Sequence, residues 1–209
     1  MANPAQLTRR RVLVGAVATL GVAATGSFVL AHRPIEPGSQ RGNETMRWAD
    51  RSRGRPFSKD PSVVRFDHRY LMYFSVPPKQ DDDRWGQAVA VSEDLLNWNK
   101  VGEIQPRGYA AAGGLCAGGS IILGNRVHLF FQTYGRGPLD SICHATSPDG
   151  VTFEHFSDGP ILRPTGGWNC GRAIDAEAHV IGDELFCYWA TRDSAYKIQM
   201  LGVHSATCE

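Results

Sequence analysis

The chain has 209 residues, 42% of them hydrophobic and 10% aromatic, which suits one folded domain with a sizeable core and argues against disorder. Its 22 basic and 21 acidic residues nearly cancel, and three of the basic ones lie before Ala31 with no acid among them, so the remainder is slightly acidic. That leaves no basic stripe for phosphate contacts and excludes nucleic acid as an expected partner; a neutral ligand fits better.

At the N-terminus, Thr8-Arg9-Arg10-Arg11-Val12-Leu13 leads into an uncharged run ending at Ala31 and rich in Ala, Gly and Val. The segment resembles a twin-arginine export signal, with Val29-Leu30-Ala31 offering a small residue for cleavage. Residues 1–31 are therefore read as a signal peptide that delivers the domain to the periplasm or the extracellular side. The alternative is an uncleaved anchor, since about 20 apolar residues can span a bilayer, and that is the only membrane contact expected. Residues 32–56 read as a linker and residues 57–209 as the folded domain.

Within that domain, 23 glycines and 12 prolines in the whole chain and the lack of a long helical period point to many short strands joined by turns. Three segments align without gaps over about 16 residues: Asp60–Ser75, Ala117–Gln132 and Asp175–Ala190, with starts 57 and 58 residues apart. Each reads as a strand, a two-residue turn and a second strand. The turns fall at Asp67-His68, Gly124-Asn125 and Gly182-Asp183, the last two being good type II′ sequences because Gly takes the positive φ. A third apolar segment ending in Ser follows each hairpin. In the first two copies a polar turn then leads to an aromatic, Ser92 to Trp98 and Ser147 to Phe153, which opens a fourth strand. Four strands in a repeat of this length suit a β-propeller blade better than a sandwich or a solenoid.

The blades thus start near residues 60, 117 and 175, and the third stops at Glu209, before its expected turn and last strand. The expectation is an all-β propeller with about three blades in this chain, the last incomplete; five such blades would need about 285 residues after the leader. The five cysteines, Cys116, Cys143, Cys170, Cys187 and Cys208, show neither a Cys-x-x-Cys pair nor zinc spacing, so neither a metal site nor a disulfide framework is expected.

The first strand of a blade lines the central channel, so Asp60, Ala117 and Asp175 form one ring of equivalent positions. Two acids facing one funnel suit paired-carboxylate chemistry on a glycosidic bond. The simpler reading is that both merely begin strands, Asp being common in turns. Aromatic and basic residues near the inner strand ends are natural sugar contacts: Trp85 with Arg84, Tyr134 with Arg136, and Trp168 with Arg172. Packing between blades is the alternative for each, and the favoured reading for Trp98 and Trp189. His128 alternates with Val127 and Leu129 and reads as structural.

Lys59-Asp60-Pro61-Ser62-Val63-Val64, the Ser-x-Asp-Leu-x-x-Trp run at Ser92 to Trp98, Ser147-Pro148-Asp149-Gly150 and Arg172-Ala173-Ile174-Asp175 together resemble glycoside hydrolase family 43. That family belongs to the five-bladed propeller glycosidases, with families 32 and 117. The family 32 signatures Asn-Asp-Pro-Asn and Arg-Asp-Pro do not occur here. The resemblance implies an inverting glycosidase acting on a plant or algal polysaccharide or oligosaccharide. Asp60 matches its general base and Asp175 the aspartate that tunes and orients the acid. The acid itself is implied in the following blade, beyond Glu209, so the chain alone is expected to be nearly inactive. Glu177, two residues after Asp175, is the substitute acid within the chain, since i and i+2 share a strand face. No organic cofactor is expected; a structural calcium is compatible with the resemblance but has no ligand signature. A carbohydrate-binding or interaction propeller without catalysis is the competing function.

Overall fold

The structure, a computed structural model, describes residues 46–116, 118–155 and 159–207. The leader, the linker up to residue 45, Ala117 and Cys208-Glu209 lie outside the described residues. Apart from 3₁₀ turns at Gly108–Ala112, Gly137–Leu139 and Gly167–Asn169, the regular structure described is β-strand.

Three antiparallel sheets follow one another along the chain. The first is a meander of β1 (Lys59–Phe66), β2 (Arg69–Val76), β3 (Gly86–Ser92) and β4 (Asn99–Glu103). In the second, β5 (Gly114–Cys116) and β6 (Ser120–Leu123) both pair with β7 (Arg126–Tyr134), which is followed by β8 (Ile142–Ser147) and β9 (Glu154–His155). The third holds β10 (Ile174–Ile181), β11 (Glu184–Arg192) and β12 (Gln199–Thr207). Gly118 and Gly119 separate β6 from β5, just past the repeat position that carries Asp60 in β1 and Asp175 in β10.

The hairpin turns follow from local chemistry. Gly124 (φ +46°) and Gly182 (φ +65°) take the positive φ that a two-residue turn of this kind needs, and the residue after each does not. Asp67 (φ +48°) and His68 (φ +62°) are both left-handed, so the first hairpin closes with a type I′ turn, built from two of the few side chains that enter that region readily. The polar turns Ser92–Asp94 and Ser147–Asp149 are copies of each other. In one, Asp94 Oδ1 accepts the Leu96 and Asn97 amides; in the other, Asp149 Oδ1 accepts those of Val151 and Thr152.

The sheets stack face to face, each burying a side of its neighbour. Leu71, Tyr73 and Val89 of the first pack on Val127, Leu129, Phe131, Cys143 and Ala145 of the second. Phe130 and Ile142 on the opposite side of the second pack on Ala176, Ala178, Cys187 and Trp189 of the third. Met72, Phe74, Ala88 and Ala90 are covered by Trp98 and by Trp48, whose ring meets Phe74 edge-on at 5.0 Å. This is the blade stacking of a β-propeller, and the fold is all-β of propeller type.

Where the inner strands converge, backbones come very close. Ser120 N–H donates to Ser62 Oγ (2.9 Å), the two hydroxyls lie 2.7 Å apart, and Gly119 N–H donates to Ala176 O (2.7 Å). A Cβ on Gly118 would sit 1.7 Å from Phe130 O, so only glycine fits there.

Candidate active site

Asp60 and Asp175 sit at the same irregularity in two blades. In each case the antiparallel register skips, between Lys59 and Ser62 in β1 and between Ile174 and Glu177 in β10, and the aspartate stands at a β-bulge. Both aspartates are left-handed, at φ +56° and +53°. A non-glycine residue held there costs on the order of 1–2 kcal/mol, and such strain clusters at functional sites.

Both residues line one small cavity of about 190 Å³ at the converging ends of the three sheets, with Lys59, Trp85, Cys116, Gln132, Tyr134, Arg172 and Ile174 completing the wall. Asp60 is held from two sides: Ser75 Oγ donates to its Oδ2 at 3.0 Å, and Lys59 Nζ lies 3.4 Å from its Oδ1. Asp175 lies at the opening. The protein packed around it raises its carboxyl above the ordinary carboxylate range, Arg172 opposes that shift, and the Asp60 charge adds to it. Its backbone N–H donates to Gln132 Oε1 at 2.5 Å.

Arg172 belongs to the short segment entering β10. Behind it Asp140, buried to 3% exposure, accepts the Arg136 amide at 3.0 Å, and the Asp140 carbonyl accepts Ala173 N–H at 2.9 Å, fixing the entry. Burial raises the Asp140 carboxyl; the Arg136 amide, the Thr133 hydroxyl and the nearby Arg172 charge work against the shift. The Trp85 carbonyl accepts Leu115 N–H at 2.9 Å, and its ring meets Tyr134 at 5.8 Å and Phe57 at 5.5 Å, both edge-on. Trp85 and Tyr134 thus form an aromatic wall beside two carboxylates and a guanidinium, a mixture suited to a polyhydroxylated ligand with apolar ring faces.

Five of the residues singled out from sequence, Asp60, Asp175, Arg172, Trp85 and Tyr134, meet at this cavity; Trp168, Glu177, Arg84 and Arg136 do not. Trp168 is half exposed and its ring lies tilted against Trp189, centroids 5.7 Å apart, away from the lining. Glu177 is exposed, as Asp175 is, but lies against Gly119 and outside the cavity lining. Arg84 is turned to Asp82 at 2.9 Å, and Arg136 lies over the Tyr109 ring at 4.2 Å. His128 Nδ1 meets His144 Nε2 at 3.1 Å, within sheet two. Sequence reasoning missed Ser75 and Gln132. The available signal was that both occupy the same repeat position and are polar in otherwise apolar central strands.

Larger spaces lie elsewhere. One is an open hollow over the Pro78–Arg84 loop, and another is an apolar cleft between sheets two and three that includes His128, His144 and His204. Neither gathers carboxylates around an aromatic wall. Among the described residues no group of three or more His, Cys, Asp or Glu side chains is placed to hold a metal ion.

Fold and site together define a propeller-type domain with an aspartate-lined cavity where its blades converge. No family model and no curated protein matches the chain. Solved structures do. A family 117 glycoside hydrolase of the marine bacterium Zobellia galactanivorans superimposes with a TM-score of 0.63 at 16% identity, over 78% of this chain and 56% of that one. A sucrose-6-phosphate hydrolase from Lactobacillus gasseri gives 0.61 at 15% identity, over 71% and 32%. A thermostable family-43 glycoside hydrolase gives 0.56 at 18% identity, over 77% and 52%. The chain spans between about a third and a little over half the length of these proteins. The likeness establishes the fold shared by these propeller-type hydrolases and does not single out one family among them.

Proposed function

We propose that the protein is a glycosidase-type propeller that binds a polysaccharide or oligosaccharide at the Asp60–Asp175 cavity and hydrolyses it with inversion. In this reading Asp60 is the general base that activates water, and Asp175 tunes and orients the acid. The observation that carries it is the pairing of two bulged, left-handed aspartates at equivalent repeat positions around one cavity. A purely structural turn aspartate has no need to repeat that strain in two blades and to aim at the same space in both. Ser75 and Lys59 hold Asp60 in a fixed rotamer, as a base needs, while the raised carboxyl of Asp175 suits a group that exchanges a proton with a neighbouring acid. The sequence motifs favour a family 43-like substrate such as an arabinan, xylan or galactan, reached after export through the twin-arginine-like leader.

Carbohydrate binding without turnover is the second reading. It is favoured by one observation: among the described residues, the cavity wall contains two carboxylates and no third to serve as the acid.

Reducing-sugar release from a panel of plant and algal polysaccharides, by a homologous propeller that carries the complete ring of blades and the Asp60 position, tests the proposal. Asp60→Asn should lower turnover by about 10²- to 10⁴-fold while leaving ligand affinity within a few fold. Equal activity in wild type and variant removes Asp60 as the base. Ligand binding by such a complete wild-type propeller that releases no sugar from any member of the panel selects the second reading.

A further inference from the structure

Gln132 sits in the middle of β7, the central strand of sheet two, and is only 4% exposed. Burying a primary amide is unfavourable unless its polar atoms are satisfied, so its partners identify its task. The bulge in β10 removes Asp175 from the β10–β11 register, leaving the Asp175 N–H without its ladder acceptor. Gln132 Oε1 takes that hydrogen at 2.5 Å, reaching across the seam between sheets two and three. With the oxygen so engaged, Gln132 fixes the bulged backbone that carries the carboxylate. Its side chain also favours the ionised form of Asp175, against the desolvation that raises it.

The repeat gives a second, independent line. Ser75, Gln132 and Ala190 are equivalent positions. Ser75 donates to Asp60 within its own blade. Glutamine, two carbons longer, spans to the aspartate of the next blade, and Ala190 offers no polar atom. One position of the repeat thus holds an aspartate twice, by a short arm and by a long one.

We propose that Gln132 is the positioning residue of Asp175, its amide gripping the aspartate across the blade seam and fixing where the carboxylate points. The assignment rests on the proposed function only in giving Asp175 a chemical role; the grip is a property of the fold. The other charged groups acting on Asp175 are Arg172 in its own segment and Lys59 and Asp60 from β1, and all three are kept in the test.

The test is a carboxyl-carbon NMR titration of the full chain, with the Asp175 signal assigned by its loss in Asp175→Asn. Gln132→Met keeps the length and removes the amide that holds the Asp175 N–H; Gln132→Glu keeps an acceptor for the N–H but sets a second negative charge against the carboxylate. The Asp175 midpoint should rise in Gln132→Met and rise further in Gln132→Glu, by on the order of one pH unit, while Ser75→Ala leaves it in place. An unmoved midpoint in both Gln132 variants overturns the proposal. Should neither variant fold, hydrogen exchange in the wild-type chain decides. The Asp175 amide should be protected like its ladder neighbours, and exchange at the free-peptide rate overturns the assignment. Neither readout involves sugar release, so this proposal and the glycosidase reading can fail separately.

Discussion

Asp60 and Asp175 are 115 residues apart and share one backbone conformation, left-handed at a β-bulge, with both side chains on one cavity. Because that conformation is unfavourable for aspartate, stability and function should oppose each other here. Asp60→Gly and Asp175→Gly relieve about 1–2 kcal/mol of strain and lose about 0.5–1 kcal/mol to chain entropy, so each should leave stability unchanged or raise it by up to about 1.5 kcal/mol. Denaturant unfolding reads this, and a loss of more than about 1 kcal/mol would contradict it. Asp175 adds a pH signature. Its carboxyl is raised, so the fold holds the proton longer than the unfolded chain, and stability from this group falls as pH rises through the raised value. Asp175→Asn should abolish that fall.

The first seam depends on Gly150 (φ +75°), where a Cβ would lie 2.2 Å from Leu71 Cδ1, and on the Tyr73 hydroxyl, which donates to Gly150 O at 2.8 Å. Gly150→Ala meets both a backbone and a packing penalty and should cost about 2–4 kcal/mol. Tyr73→Phe leaves a buried carbonyl unpaired and should cost about 1–2 kcal/mol. Thermal unfolding of the two variants should rank them in that order.

Between pH 6.5 and 4 the histidines of the second sheet should dominate stability. Burial, with the adjacent His128, pushes His144 down to about 4, and burial with the Arg126 charge lowers His128. A depressed histidine stabilises the fold above its unfolded value near 6.5, and that contribution is lost as pH falls towards 4, by up to about 3 kcal/mol for His144. Asp149 titrates lower: desolvation works upward, but the Thr152 and Val151 amides hold it at about 2, so its loss comes only in stronger acid. His144→Phe should flatten the midpoint-against-pH curve above pH 4; an unchanged curve would remove His144 as its source.

Equivalent side chains of the three blades differ in cover. Tyr73 is 0% exposed and Phe130 3%, but Tyr188 is 43% exposed, and Val203 and Leu201 beside it are 52% and 80% exposed. An apolar sheet face of this kind favours association. Sedimentation of the full chain should show concentration-dependent self-association that a Leu201→Asp, Val203→Asp double variant suppresses; identical behaviour of the two would exclude this face.

The repeat and its turns were legible because they rest on local chemistry: Gly124 and Gly182 fix their hairpins whatever surrounds them, and apolar alternation marks the inner strands. The grouping of Asp60 with Asp175 was legible only through the repeat, which converts distance along the chain into position around a ring. The bulges were not. A single unpaired residue leaves the alternation intact across the bulge in β10, so the pattern does not mark it. Gln132 was visible as a lone amide in Phe-Phe-Gln-Thr, but its partner lies 43 residues onward in another sheet. Trp168 followed a rule about aromatics near strand ends, whereas its ring is taken up by Trp189.

The bulges also separate two demands that a regular strand would tie together. In an uninterrupted strand, moving a side chain to the other face moves every later one with it. Here the extra residue absorbs that change, so the core-facing positions from Ser62 and Glu177 onward can drift in sequence without re-aiming the aspartate, and the aspartate can be lost without disturbing the core. Single-residue deletions at Pro61 or Ala176 should therefore be far less tolerated than substitutions at the same sites, and a deep mutational scan would show the two bulges as paired islands of length constraint.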